Sequence, residues 1–384
     1  MSSIQQIEIS MKYDLAAYVW PSYTGDEPRT RMFWPDGHGE WQTVKAATAK
    51  FEGHQWPRKP LWGYLNEADS KVMEMQIEQA VKHGVNVFIY DWYWYDGRPF
   101  LENCLNDGFL KAENQNKMKF YLMWANHNVN HLWDKRISNI EDNLIWEAHV
   151  PLEEFKTIAK RMIEKYFLRS NYYTIDDEPV LMIYDLDVFL KGFPKLEEAI
   201  SGVQWFQAEA QKSGLPGIHF QMCRWDARLF TANYEGNTVD LSMDQICKLL
   251  GFKSYTHYQF VHFQDMNRDY RDIVADVVKD WDTYKNESTL PYFPHVSVGW
   301  DNTPRYLSYS PEDPVKGAVV KNNTPENVET AFRAAKKYVD DHPNQPPLIT
   351  INSWNEWTET SYLQPDDLYG YGYLEKIKAV FLSD

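Results

Sequence analysis

Short apolar runs alternate along the chain with stretches whose apolar residues recur every three to four positions. Residues 15–20 (LAAYVW), 85–91 (VNVFIYD), 119–124, 179–184, 218–223, 254–260, 291–298 and 347–352 read as strands. Between them, residues 68–83, 101–112, 152–167, 195–212, 269–284 and 325–341 read as helices, with a last helix at 373–381. In the first of these, Val72, Met75, Ile77, Ala80 and Val81 form the apolar stripe and Gly84 ends it. A long loop rich in Trp, Gly and Pro occupies residues 21 to 67.

This is about eight strand–helix pairs with no linker, repeat or charge block to divide them. Continuous apolar strands alternating with amphipathic helices indicate a parallel sheet covered by helices. An α/β fold of that length closes as a single (β/α)8 TIM barrel with long βα loops. The alternative, an open doubly wound sheet, lacks its usual Gly-rich phosphate loop after the first strand. One catalytic domain over 1–384 is therefore expected, with residues 1–12 as an N-terminal extension.

A barrel carries its chemistry at the C-terminal ends of its strands. The polar and aromatic residues gather there. The first run carries Tyr18. The second passes into Asp91, Trp92, Tyr93, Trp94 and Tyr95, and the third into Trp124, Asn126 and His127. The fifth ends in Arg224, Trp225 and Asp226, and the sixth carries His257 and Tyr258. The seventh ends in Trp300, Asp301 and Asn302, with Arg305 beyond. The eighth ends in Trp354, Asn355, Glu356, Trp357, Thr358 and Glu359.

Glu356 and Glu359 stand three residues apart, so a helical turn after the strand brings both carboxylates to one side. Retaining glycosidases hold their carboxyl pair about 5–5.5 Å apart. Crowding raises one pKa, which suits a general acid, while its neighbour stays ionised as a base. The alternative is a solvated helix N-terminus with acids favoured by the dipole. Asp301 with Arg305 reads either as a ligand clamp or as an ion pair within the loop. His127 reads either as a substrate contact or as a loop histidine satisfied locally. The acidic trio Asp176, Asp177 and Glu178 precedes a strand and reads as a solvated turn.

Composition sharpens this picture in two ways. A net charge of −16 argues against nucleic-acid and anionic-membrane partners. Sixteen Trp and 25 Tyr exceed what such a core needs, and flat amphipathic rings suit the C–H faces of sugars. The partner expected is thus an oligosaccharide or polysaccharide. Cys104, Cys223 and Cys247 show neither metal nor disulfide spacing, and His38, His54, His83 and His131 show no ligand spacing. No metal or cofactor is implied. No apolar run is long enough to span a bilayer, and the first residues lack the apolar core of a signal peptide. The expected compartment is the cytoplasm, or the exterior if a leader has been trimmed.

The motif WNEW-x-E (Trp354 to Glu359), followed by LQPD at 363–366 and YGYLE at 371–375, resembles the WbsX-like family, which is related to glycoside hydrolase family 99. WANHN at 124–128 and GWDNTPR at 299–305 match the same family. Thr358 stands where family 99 usually has His, and His127 where WbsX-like chains often have Glu. The resemblance implies a (β/α)8 barrel and retaining hydrolysis of α-manno-configured glycans, α-mannosides or α-L-rhamnosides. It implies Glu356 as base toward the sugar's own 2-hydroxyl, giving a 1,2-anhydro sugar, and Glu359 as general acid/base. Two other readings stay open: a glycosyltransferase of polysaccharide assembly and a non-catalytic glycan-binding barrel. A transferase would call for a nucleotide-sugar site, and Asp185-x-Asp187 is the one near match to a metal-binding DxD.

Overall fold

The computed structural model describes residues 11–25, 27–136, 143–313 and 317–383. Most of the extension assigned to residues 1–12 lies outside these. Eight strands, β1 (Asp14–Val19), β2 (Val87–Tyr95), β3 (Lys119–Trp124), β4 (Glu178–Ile183), β5 (His219–Arg224), β6 (Ser254–His257), β7 (His295–Ser297) and β8 (Leu348–Asn352), run parallel in the order β6-β5-β4-β3-β2-β1-β8-β7. Register is set by pairs such as Ala16 with Val87 and Asp14 with Leu348. The seam between β6 and β7 is stitched one step earlier in the chain. Tyr255 N donates to Pro291 O at 3.1 Å and Phe293 N donates to Tyr255 O at 3.0 Å. The result is a nearly closed barrel.

Inside it, polar side chains satisfy one another. Thr350 Oγ1 lies 2.8 Å from Thr256 Oγ1 and 2.9 Å from His295 Nδ1, and Tyr121 donates to Gln221 Oε1 at 3.1 Å. Such matching matters because an orphaned polar group here would cost about 1–3 kcal/mol.

Around the strands pack helices α1 (Ser70–Lys82), α2 (Leu152–Met162), α3 (Leu196–Lys212), α4 (Met243–Leu250), α5 (Tyr270–Glu287), α6 (Pro325–Asp341) and α7 (Gly372–Phe381). Among the described residues no helix is long and apolar enough to cross a membrane. The buried face of α1 is Met73, Gln76, Ile77 and Ala80: Ile77 and Ala80 stand as expected from periodicity, while Val72, Met75 and Val81 are half-buried. Gln76 turns inward because its amide has buried partners, donating to Glu67 and accepting from Trp354 and Gln364.

The helix expected at 101–112 is replaced by a π-turn, Cys104–Gly108, and a 3-10 turn, Phe109–Lys111. Gly108 sits against the main chain there: a Cβ on it would lie 2.0 Å from Glu67 O. The irregular stretch after β5 contains a hairpin, Phe230–Tyr234 with Asn237–Leu241, and then α4. Its turn at Glu235 and Gly236, both at positive φ, and the Ser242–Gln245 capping box are legible signals in hindsight. All three cysteines are buried free thiols.

Candidate active site

Beyond β8 the chain makes a tight hairpin. Asn355–Glu356 pairs antiparallel with Ser361–Tyr362, and the 3-10 turn Trp357–Glu359 with Thr360 at φ 54° closes it. Ser353 Oγ braces the base, accepting from Glu356 N at 2.7 Å and donating to Ser361 O at 2.6 Å. Trp357 stacks on Tyr362 at 3.9 Å and donates to Gln364 at 2.7 Å. The turn therefore does bring Glu356 and Glu359 to one side, on a rigid tip.

Both meet Arg305, which follows β7 on the turn Thr303–Arg305. Nη1 reaches Glu359 Oε1 at 2.8 Å and Nη2 reaches Glu356 Oε2 at 3.3 Å. Arg305 Nε donates to a third carboxylate, Glu40, at 3.1 Å. Glu40 comes from the long loop after β1, is fully buried, and also accepts from Trp20 Nε1 at 2.5 Å. On the other flank the Tyr258 hydroxyl lies 3.0 Å from Glu356 Oε1 and 3.2 Å from Asp91 Oδ2.

One guanidinium thus faces three carboxyls with a fourth nearby, in a site where Arg305, Asp91, Glu356 and Glu359 are all buried. Burial pushes the Glu356 carboxyl well above the usual range, the neighbouring Glu359 adds to this, and Arg305 opposes it. Glu359 is raised by burial as well, again against Arg305. Full ionisation of the pair is disfavoured, as a shared acid/base site requires. Glu356 accepts hydrogen bonds on both oxygens. Among the described residues Glu359 Oε2 has no partner.

An aromatic wall leads away from the carboxyls. Tyr93 meets His127 edge-on at 5.6 Å, His127 meets Tyr184 at 5.7 Å, and Tyr184 meets Tyr258 and Trp225 at 5.2 and 5.0 Å. Trp225 stacks on His262 at 4.1 Å. His127, Trp225 and His262 are half-buried at the rim. Burial lowers the His127 pKa, with Arg305 adding to the effect.

Several expected contacts are turned elsewhere. Trp92 and Trp94 face the helical layer, donating to Glu102 at 2.8 Å and Glu154 at 2.7 Å, because side chains alternate along β2. Their inward neighbours are Asp91, Tyr93 and Tyr95. Trp124 likewise packs on Phe155 and Phe189. Trp354 packs on Phe88 and donates to Gln76 at 2.8 Å. Asn126 is spent on Asp185, whose N and O it binds at 2.9 and 2.7 Å. Asn355 is spent on Trp20 and Glu67. Tyr18 lies deeper in the barrel, donating to His257 O at 2.8 Å and edge-on to Tyr258. Asp301 pairs with His54 at 2.6 Å rather than with Arg305, and Trp300 is buried beside it.

Glu40, Tyr184 and His262 are site groups that the sequence reading did not name, whereas Asp91 and Tyr93 stood among its strand-end residues without a role. The near match to DxD is engaged otherwise: Asp185 caps a short helix and Asp187 meets Arg228 at 3.2 Å. A cavity of about 300 Å³, lined by Glu178, His219 and Lys253 among others, lies at the N-terminal end of the strands and contains none of the site groups.

The barrel is similar to the GH99 endo-alpha-mannosidase from Bacteroides thetaiotaomicron, with a TM-score of 0.56 and 13% identity over 95% of both chains. A glycoside hydrolase-like protein gives the same TM-score and identity over 99% of this chain and 97% of its own. At such identity the likeness concerns the fold. In sequence, the uncharacterized protein WxcX of Xanthomonas campestris pv. campestris is 25% identical over 367 residues, 94% of this chain and 48% of the relative. The chain spans about half the length of the curated relatives it matches. The sequence model described as glycosyltransferase WbsX covers residues 15–377, and the chain belongs to that WbsX family.

Proposed function

We propose that the protein is a retaining glycoside hydrolase acting on α-linked manno-configured glycans, with Glu356 as base and Glu359 as general acid/base. The observation that carries this reading is the unequal hydrogen bonding of the pair. Both oxygens of Glu356 receive hydrogen bonds, from Tyr258 and Arg305, which oppose the rise that burial and Glu359 impose on its carboxyl. Glu359 is bound on Oε1 alone, leaving Oε2 to carry a proton toward a leaving oxygen.

In the first step Glu356 takes the proton of the sugar 2-hydroxyl, O2 forms a bond to C1, and the C1–O bond breaks as Glu359 protonates the departing oxygen. In the second, Glu359 removes a proton from water, the water oxygen bonds to C1, the C1–O2 bond opens, and Glu356 returns its proton to O2. Both carboxyls end as they began, and configuration at C1 is retained. The 2-hydroxyl must lie trans to the leaving group, as it does in α-mannosides and α-L-rhamnosides. The half-buried rings at the rim supply apolar faces for the sugar.

The test is digestion of α-mannans, rhamnose-containing polysaccharides and N-glycans by wild type, Glu356→Gln and Glu359→Gln, with products read by mass spectrometry. New oligosaccharides from wild type, reduced at least about 10²-fold in each variant, are expected. A variant within about tenfold of wild type overturns the roles. A second reading, glycosyl transfer, is favoured by the description of the family. Transfer from a nucleotide sugar without hydrolysis of any glycan would establish it.

A further inference from the structure

The hydroxyl of Tyr258 stands between two buried carboxyls, Glu356 at 3.0 Å and Asp91 at 3.2 Å. A phenol carries one proton, so it donates to one of them only. Were both carboxyls ionised, the Tyr258 oxygen would face one of these two buried anions with no proton between them. Three groups at these distances therefore hold two protons, the phenol's own and one more on a carboxyl.

The surroundings decide which carboxyl. Glu356 has the Arg305 guanidinium at 3.3 Å on its other oxygen. Among the described residues Asp91 has no such neighbour. The titratable groups that couple to it are Tyr18 on β1, Tyr93 on β2, Tyr184 after β4, Cys223 on β5, Tyr258 after β6, and Glu356 and Glu359 after β8. None is a cation. Among the described residues, Asp91 Oδ1 is buried without a partner.

We propose that Asp91 is held as a neutral acid that donates its proton to the Tyr258 oxygen, so that Tyr258 donates to Glu356 and keeps that carboxylate ionised and aimed. Asp91 is then a positioning residue acting through Tyr258. The inference rests on the reading of Glu356 as base. Burial raises the Asp91 and Glu356 carboxyls alike well above their usual range, and of the two Glu356 is the one that Arg305 pulls back down.

Asparagine has the shape of a protonated aspartic acid, with an N–H donor where the acid has its O–H. Asp91→Asn therefore preserves the direction of the chain, and Asp91→Ala removes it. Infrared difference spectra of wild type minus Asp91→Asn at neutral pH, without substrate, should show the carbonyl band of one protonated acid lost and no carboxylate band lost. Loss of a carboxylate band would overturn the proposal whatever the enzyme's substrate, so its failure is separable from failure of the hydrolase reading. On a cleaved glycan, Asp91→Asn should turn over at least about tenfold faster than Asp91→Ala. The acid limb of kcat/KM should move to higher pH in Asp91→Ala and Tyr258→Phe, but not in Asp91→Asn. A downward move of that limb in Asp91→Asn, as expected on removing a negative charge, would overturn it equally.

Discussion

The side chain of Asn355 is joined to the backbone of Trp20 by two hydrogen bonds, its Oδ1 accepting from Trp20 N at 2.7 Å and its Nδ2 donating to Trp20 O at 2.9 Å. A single amide thus imitates a strand partner and fastens the glutamate-bearing hairpin to the end of β1. Its second N–H goes to Glu67 at 2.8 Å. The direction of every donor at this junction is fixed.

Asn355→Ala should destabilise the fold by about 1–3 kcal/mol for each buried group it leaves unpaired. Asn355→Asp should cost more, since it sets a carboxylate against both Trp20 O and Glu67. Urea unfolding ranks the two. An Asp variant as stable as the Ala variant would contradict this use of the amide.

Arg305 is the cation shared by Glu356, Glu359 and Glu40. Replacing it with Met removes the cation that opposes the burial of the two glutamates, so both carboxyl pKa values rise. As the proposed base Glu356 must be ionised, so the loss of activity should be greatest at low pH and shrink as pH increases. At neutral pH a fall of about 10²-fold or more is expected. Arg305→Lys keeps the charge but lacks the planar fork and should not restore wild-type rates. A pH–rate profile of the Met variant with an unmoved acid limb would show that Arg305 does not tune the pair.

The barrel was legible because buried parallel strands read as unbroken apolar runs whose ends carry polar or aromatic groups. The same continuity conceals which residues face inward. Trp92, Trp94, Trp124 and Trp354 stand at strand ends yet point to the helices, where their indoles pack against apolar side chains. In β2 the inward register was marked by the one charge, Asp91, whose parity includes Tyr93 and Tyr95. Glu40 had no local signal at all. Its partner Arg305 lies 265 residues away, and only closure of the barrel brings the long first loop over the seventh strand.

His54 reaches Asp301 across that same closure, at 2.6 Å. Asp301 in turn holds both site loops: its Oδ1 accepts from Thr303 N at 3.0 Å and its N donates to Glu359 O at 2.8 Å. His54→Ala should therefore lower stability by about 1–3 kcal/mol and reduce kcat, although His54 touches neither glutamate directly. Thermal unfolding and kinetics on the same preparation test both effects. Full activity with lowered stability would separate the His54–Asp301 hydrogen bond from the alignment of the loops.

Glu67 offers a test by pH alone. It is buried among donors, accepting from Gln364 and Gln76 on Oε1 and from Asn355 on Oε2, yet burial outweighs them and raises its pKa to about 7. An acid raised in the folded state binds its proton more tightly there than when unfolded. Its contribution is fully present below the ordinary pKa of 4.5 and is lost as pH rises through about 7. A displacement of that size corresponds to about 3 kcal/mol. Glu67→Gln does not titrate, so the stability of wild type relative to this variant should fall by about that amount between pH 4 and pH 8. The variant itself should be weaker than wild type at low pH, because its amide turns an N–H toward neighbouring donors. Parallel urea titrations of the two proteins give the difference directly, and a difference independent of pH would mean that the Glu67 proton is bound no more tightly in the native state than in the unfolded chain.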